Sequence, residues 1–568
     1  MKPHTPRKLH ETGVIRKRWE NRISIALVFP DSYSLGMSNL GFQRVYELFN
    51  QFDQIVAERF FLPESLVYGK DIRSLESSRA LWEFDLIVFS ISFEYSYLNV
   101  PLVLAAGRIG VFSDSRASDA PIVLAGGIAC QINPAPLSSI VDGFLLGDFE
   151  AICPSLVEFL EAGAIFSGRK KVDILESLAS SCQGVYVPVL HQNVCNSSAE
   201  KYVQNKECYR VIPAIEENPP AVLPHSVVMS EDAAFSDTFL LEVSKGCGRG
   251  CRFCAAGYVY RPPRPWPIES IFNTLALAGN SSKIGLVGLE FLDKKGFCDL
   301  TAAMLEKKYQ LGFSSLRADA VTEDFAAVLA ASGSKTATIA AEAGSERLRK
   351  VLNKNLTEEQ LLTACDILLS AGIRNLKVYF MLGLPFEEDN DAEEIVRLSR
   401  RILNMLVSAG KGRGTLGHLT VSISTFVPKA WTPFQWAGFV QQDIIERRRQ
   451  VIRKGLAGVP NVRLRFDSWR KAFIQAVLSR GGRELGQTLV LSRLKGKGSK
   501  QTARAMLPLA GQYIRARNKD ECFPWEIIHH RVKREFLYSQ WQKAARGVET
   551  SFCDLGKCRK CGACVSKK

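Results

Sequence analysis

No uninterrupted apolar run reaches the roughly 18 residues that a membrane-spanning helix requires. The best candidate, residues 100–112, is short and carries Arg108. The first 22 residues are polar and basic and lack an apolar centre, so no secretory signal is expected. These absences point to a soluble, cytoplasmic protein with no membrane partner. Histidine is scarce, with seven in 568 residues. The only pair, His529-His530, has no cysteine or carboxylate at ligand spacing and reads as surface or partial core. There is no nucleophile elbow and no P-loop. The stretch Gly412-Arg-Gly-Thr-Leu-Gly417 satisfies G-x-G-x-x-G, but it precedes a strand instead of opening a helix, so the phosphate-binding rationale fails. No internal repeat and no long low-complexity run is visible.

Cysteine, by contrast, is plentiful. Fifteen are present, an odd number and mostly scattered, which argues against a disulfide framework and for reduced thiols. Seven of them fall into two tight groups, Cys247 to Cys254 and Cys553 to Cys564. The apolar fraction of 46% is that of a globular chain and excludes disorder. The net charge of +15 is concentrated. Residues 443–520 carry 19 Lys and Arg against 5 Asp and Glu, including Arg447-Arg448-Arg449 and the series Arg493, Lys495, Lys497, Lys500 and Arg504. A basic surface of that kind attracts a polyanion such as RNA or a ribosomal component. The plain alternative is a solvated helical face.

The fold class is α/β. Residues 23–29 form a continuous apolar run, as in a parallel strand buried on both faces. Further strands are expected at 86–92, 122–124 and 143–146, with Gly126-Gly127 and Gly147-Asp148 at their carboxyl ends. Alternation with helices implies a doubly wound, Rossmann-like sheet over residues 1–198, with ligands at those strand ends. Residues 199–225 are polar, contain proline and read as a linker. The alternation resumes with six expected strands at 238–243, 283–289, 314–317, 338–341, 375–382 and 419–426. They imply a partial (β/α)6 barrel over 226–437. Residues 438–568 form a basic C-terminal region ending in the second cysteine group.

Cys247, Cys251 and Cys254 are spaced C-x3-C-x2-C directly after a strand, with Gly246, Gly248 and Gly250 letting the backbone curl. Three thiolates satisfy three irons of a [4Fe-4S] cube and leave the fourth open, as a catalytic centre needs. A zinc or redox thiol group is the alternative. The second group, Cys553-x4-Cys558-x2-Cys561-x2-Cys564, is one compact wrap. It favours an auxiliary iron–sulfur cluster over zinc, whose ribbons split their ligands into two separated pairs.

The first motif resembles that of the radical S-adenosylmethionine (SAM) superfamily, including Phe253 just before the last cysteine. Residues 31–41, 342–349, 379–385 and 426–436 resemble a narrower group in which a cobalamin-binding-like domain precedes the radical core. The resemblance implies that a [4Fe-4S] cluster chelates SAM at its open iron and cleaves it reductively to a 5′-deoxyadenosyl radical. It also implies a low-potential electron donor of the flavodoxin or ferredoxin type. Glu342 occupies the place of an acidic residue that meets the cofactor ribose. Gly288 and Glu290 lie where the methionine amino group is contacted, although Gly288-Leu289-Glu290 departs from the common Gly-Gly-Glu form. Cobalamin is admitted but not favoured. Tyr33 stands where His-on domains carry the cobalt-ligating histidine, and a phenol with a pKa near 10 is a poor ligand at pH 7. The radical could methylate, thiolate or rearrange an RNA or ribosome-associated substrate. A small-molecule oxidative or methylating enzyme, and a non-catalytic iron–sulfur RNA-binding or assembly protein, are the rival readings.

Overall fold

The computed structural model describes residues 9–63, 71–117, 119–163, 168–191, 210–288, 294–313, 315–494, 498–555 and 557–564. The N-terminal sheet comprises β1 (Ile23–Phe29), β2 (Ile55–Phe61), β3 (Leu86–Ser90), β4 (Ile122–Gly126), β5 (Gly143–Leu145) and β6 (Val185–Tyr186). Its order is β2-β1-β3-β4-β5-β6, parallel throughout except for the antiparallel edge strand β6. Apart from Glu58 and Arg59 in β2, the strands are largely apolar, and they are almost fully buried because helices cover both faces. One of these helices, α1 (Leu40–Gln51), begins where the Asn39 side chain accepts a hydrogen bond from the Phe42 N–H at 2.9 Å. That cap satisfies one of the orphan donors of the first turn. A strand order of 2-1-3-4-5 puts the topological switch point at the carboxyl ends of β1 and β3.

The second half holds two parallel sheets. β7 (Thr238–Glu242), β8 (Lys283–Val287) and β9 (Gln310–Phe313) pair in the order β9-β8-β7. β10 (Thr336–Glu342), β11 (Asn375–Leu382), β12 (Leu419–Thr425) and β13 (Val462–Phe466) pair in sequence order. A single parallel bridge, Leu316 to Ile339, links the two sheets into an open barrel. Two details differ from expectation. The third strand lies at Gln310–Phe313, ahead of residues 314–317, of which Leu316 supplies only the bridge. A seventh strand, β13, extends the run into the basic region.

The C-terminal helices α2 (Trp469–Arg480) and α3 (Leu485–Leu494) lie against the N-terminal half, over residues 94–106, and α4 (Ser499–Ile514) packs on both. α2 is buried nearly all round, so it behaves as core and not as a surface helix. Its Phe473, Ile474, Val477 and Leu478 share one hydrophobic core with Ile87, Phe89 and Phe144 of the N-terminal sheet. Fully buried Glu94 fixes the join. It accepts both short bonds from Lys429 Nζ, at 2.6 Å each, and others from Ser479 and Gln475. Among the described residues, no helix is long and apolar enough to cross a membrane.

Candidate functional site

The first cysteine group occupies the loop after β7. Residues 244–245 pair antiparallel with 264–265 and frame that loop. Gly246 has φ +84°, and a Cβ there would sit 2.5 Å from the Tyr260 carbonyl oxygen, so only glycine makes the turn. Gly250 is also left-handed, and its carbonyl accepts from Tyr258 Oη at 3.1 Å. Fully buried Arg252 anchors the far side by donating to the carbonyls of Lys350, Val351 and Val548. The loop therefore holds Cys247, Cys251 and Cys254 partly exposed at the barrel mouth.

The charges around these thiols are fixed by distant parts of the chain. Arg317 places Nη1 3.9 Å from Cys251 Sγ. Arg317 is itself held by Asp319 at 2.9 Å and by the Lys354 carbonyl at 2.8 Å. Burial, with the Cys251 thiol beside it, pushes the Cys254 thiol up to about 12. A strongly electrophilic centre is what would hold all three as thiolates. Glu342 ends β10 in the left-handed region at φ +67°, where the ladder to β11 is irregular. It lies close enough to Cys254 to raise that thiol's pKa, and it accepts from Lys354 Nζ at 3.0 Å. Arg347, five residues further on, pairs instead with Asp391 and Glu388.

Other expected site residues are placed as follows. Phe253 packs on the apolar cluster of Leu348, Leu352, Phe426 and Phe434 beside the loop. Gly288 follows β8 against β7, and a Cβ there would meet Ser244 Oγ at 2.7 Å. Glu290 lies outside the described residues. Gly383 is a left-handed turn whose missing Cβ is filled by Val440. Arg317 and Lys354 were not visible as site residues in the sequence. Neither belongs to a motif, and Arg317 reaches Cys251 across 66 residues of chain.

Between the carboxyl ends of the N-terminal strands and the barrel mouth lies a cavity of about 300 Å³. Asn39, Ser90, Gly127 and Gln131 line one side, and Glu242, Lys245 and Tyr260 line the other. Asp148 at its rim accepts from Lys245 at 3.1 Å and Arg264 at 2.6 Å. Burial opposes that charge, but the two cations outweigh it and hold the carboxyl below its usual range. Tyr33 is not among the lining residues. Its hydroxyl donates to Glu11 at 2.7 Å and its ring meets Phe61 edge-on. The glycines at the strand ends are explained by close backbone contacts. A Cβ at Gly127 would meet the Ile91 oxygen at 2.5 Å, and one at Gly147 the Ala214 oxygen at 2.1 Å.

The second cysteine group returns to the first. Cys553, Cys558 and Cys561 share a small cavity with Gly250, Tyr258 and Arg261. Among the described residues, no three His, Cys, Asp or Glu side chains stand in the arrangement that one metal ion takes.

Two family models match the chain. One, described as "Radical SAM proteins, N-terminal", spans residues 41–188, and the other, "Radical SAM superfamily", spans residues 241–399. The second match contains the cysteine loop and ends within the helix that follows β11. This chain belongs to the radical SAM superfamily. It is 25% identical over 478 residues to "Uncharacterized protein MJ0966" of Methanocaldococcus jannaschii, covering 83% of this chain and 91% of that protein. Among solved structures it is similar to the cobalamin-dependent S-adenosylmethionine radical enzyme OxsB with aqua-cobalamin bound. That match has a TM-score of 0.45 at 16% identity over 66% of this chain, and this chain spans about half (52%) of that one. It is also similar to the radical SAM methyltransferase TsrM of Kitasatospora setae, with a TM-score of 0.44 at 13% identity over 71% of this chain and 75% of that one. By its two family matches the protein is a radical SAM enzyme. Membership implies a [4Fe-4S] cluster, SAM and a reductant of the flavodoxin or ferredoxin type. The donor set fits the cluster: three cysteines on one tightly turned loop, one guanidinium beside them and a carboxylate near Cys254.

Proposed function

We propose that this radical SAM enzyme cleaves SAM reductively at a cluster held by Cys247, Cys251 and Cys254, and that it modifies an RNA or ribosome-associated substrate. The observation that carries the first part is the placement of three thiols on a tightly turned loop at the barrel mouth, with Glu342 beside Cys254. Bound there, the cluster supplies the open iron and the electron that break the sulfonium bond of SAM. The chain does the rest. Arg317 offsets the negative charge of three thiolates, Phe253 closes the apolar side of the loop, and Glu342 presents a carboxylate to the ribose hydroxyls. Gly288 keeps the end of β8 low beside β7, leaving room for the methionine end. Cobalamin held through Tyr33 does not fit, because the phenol is engaged with Glu11.

The second part is supported by the charge that stays on the surface. Much of the basic window is turned inward or paired. Arg448 binds Glu387, Arg449 binds Asp467, Arg480 is fully buried and Arg493 donates to Asn99. Arg463 and Arg465 point outward from β13, the last strand of its sheet, with Lys454, Arg470 and Lys471 also exposed. Lys495 and Lys497 lie outside the described residues. A strip of this kind suits a phosphate backbone, where each neutralised phosphate releases counterions.

Two measurements test the proposal. Anaerobically reconstituted enzyme with dithionite and SAM is expected to form 5′-deoxyadenosine, and Cys251→Ala to form none. An intact cluster that yields no 5′-deoxyadenosine overturns the cleavage reading. Single-stranded RNA binding is expected to weaken steeply with salt. Replacing Arg463 and Arg465 by Ser should lower the log–log slope by about 1.4, at roughly 0.7 per phosphate. A flat salt response overturns the RNA reading and leaves the cleavage chemistry standing.

A further inference from the structure

The segment after the last described helix, α5 (Arg534–Ala545), does not hang free at the end of the chain. It runs back along the cysteine loop and is bonded to it repeatedly. Cys553 N–H donates to the Gly248 carbonyl, between Cys247 and Cys251, at 2.9 Å. The Phe552 ring lies under the Arg249 guanidinium, 4.2 Å from its carbon to the ring centre. Asn353 bridges the two segments: its amide donates to the Gly250 carbonyl at 3.1 Å, and its oxygen accepts from Thr550 N–H at 2.6 Å. Arg252, within the loop, reaches Val548 at 2.6 Å.

The far end of the segment is also fixed. The Cys561 carbonyl accepts from Lys533 N–H at 2.8 Å, and Cys561 and Ala563 are buried. Gly562 is left-handed, with the Lys533 side chain 2.9 Å from where its Cβ would stand. Arg261 borders the thiol-lined cavity, and its guanidinium also meets the Tyr258 and Phe536 rings. Each thiol group thus has one part-buried arginine at its edge, Arg317 for the first and Arg261 for the second. A buried guanidinium beside several thiols suits a site that is anionic when filled.

We infer that Cys553, Cys558, Cys561 and Cys564 hold a second iron–sulfur cluster on the outer wall of the catalytic loop, and that filling this site clamps residues 246–254 in place. The two sites share the Gly248–Gly250 backbone and Tyr258 as a common partition. Four thiolates leave no iron open, so the second site binds neither SAM nor substrate. It acts on the first by position. Ordering the 550–564 segment fixes the hydrogen bonds to Gly248 and Gly250, and those fix the spacing of the three catalytic thiols. The inference rests on the proposed catalytic site, yet its metal content is testable without it.

The full chain carrying Cys247→Ala, Cys251→Ala and Cys254→Ala is reconstituted anaerobically with iron and sulfide, with zinc present. Iron and sulfide are expected to remain at about half the wild-type content. Zinc alone, or no metal, overturns the second cluster and leaves SAM cleavage by the wild type untouched. The clamp is tested in Cys558→Ser, a partly exposed position, with Asn353→Ala as a second variant that removes the bridge and no cysteine. Hydrogen exchange of the amides from 246 to 254 is expected to quicken at least tenfold in both, with exchange in the N-terminal sheet unchanged. Unchanged exchange in the loop of both variants overturns the clamp.

Discussion

Glu342 shows how a single residue can carry a functional assignment on physical grounds. A non-glycine residue held at φ +67° costs on the order of 1–3 kcal/mol, and such strain persists where the surroundings over-determine it. Here the end of β10, the irregular ladder to β11 and the bond from Lys354 all hold it at the barrel mouth. Glu342→Gln keeps the shape and removes the charge. It is expected to weaken equilibrium binding of SAM about tenfold, the loss of one charge-assisted hydrogen bond, with little change in thermal stability. Unchanged binding would remove Glu342 from the site. The grouping of the catalytic-loop cysteines with Phe253 and Glu342 was legible in the sequence because it follows from local spacing or from position after a strand. Arg317 and Lys354 were not: only the closing of the barrel brings Arg317 to Cys251, and Lys354 turns back to Glu342 from outside any motif.

At the scale of elements, the apolar runs of β1, β3, β4 and β5 announced themselves, since strands buried on both faces are continuous in hydrophobicity. β2 did not, because Glu58 and Arg59 interrupt its pattern. Both are buried and satisfied: Trp19 and Ser77 donate to Glu58, while Arg59 binds Glu11 and Glu76. Glu76→Ala strips the Arg59 guanidinium of one of these partners in a site where its side chain is 1% exposed. The expected cost is about 3 kcal/mol, read as a lower denaturant midpoint at unchanged slope. β13 was hidden for a related reason. Its sequence Val-Arg-Leu-Arg-Phe alternates, as an edge strand open to solvent on one face does, inside a window whose charge dominated its appearance.

At the scale of the whole molecule, the basic region after residue 437 is part of the body of the protein. α2 shares a core with the N-terminal sheet, Glu94 is gripped from both sides of the chain, and β13 completes the barrel sheet. A charge count by window could not show this, because Arg480 and Arg493 point inward. A chain ending at 437 is therefore expected not to fold. His530 marks the same join. It is buried against Trp431, with Nε2 2.6 Å from the Gln131 carbonyl, and burial lowers its pKa to about 4. The unfolded chain takes up this proton near pH 6.5 and the folded chain does not, so stability should fall as pH drops from about 6.5 towards 4. His530→Gln should flatten that part of the stability curve.

The central claim is that Cys247, Cys251 and Cys254 leave one iron open for SAM. Electron paramagnetic resonance of the dithionite-reduced enzyme tests it most directly. Adding SAM should shift the g-values of the reduced cluster, and Cys251→Ala should lack the shifting signal. A reduced cluster at these three cysteines whose spectrum is unmoved by saturating SAM would contradict the claim.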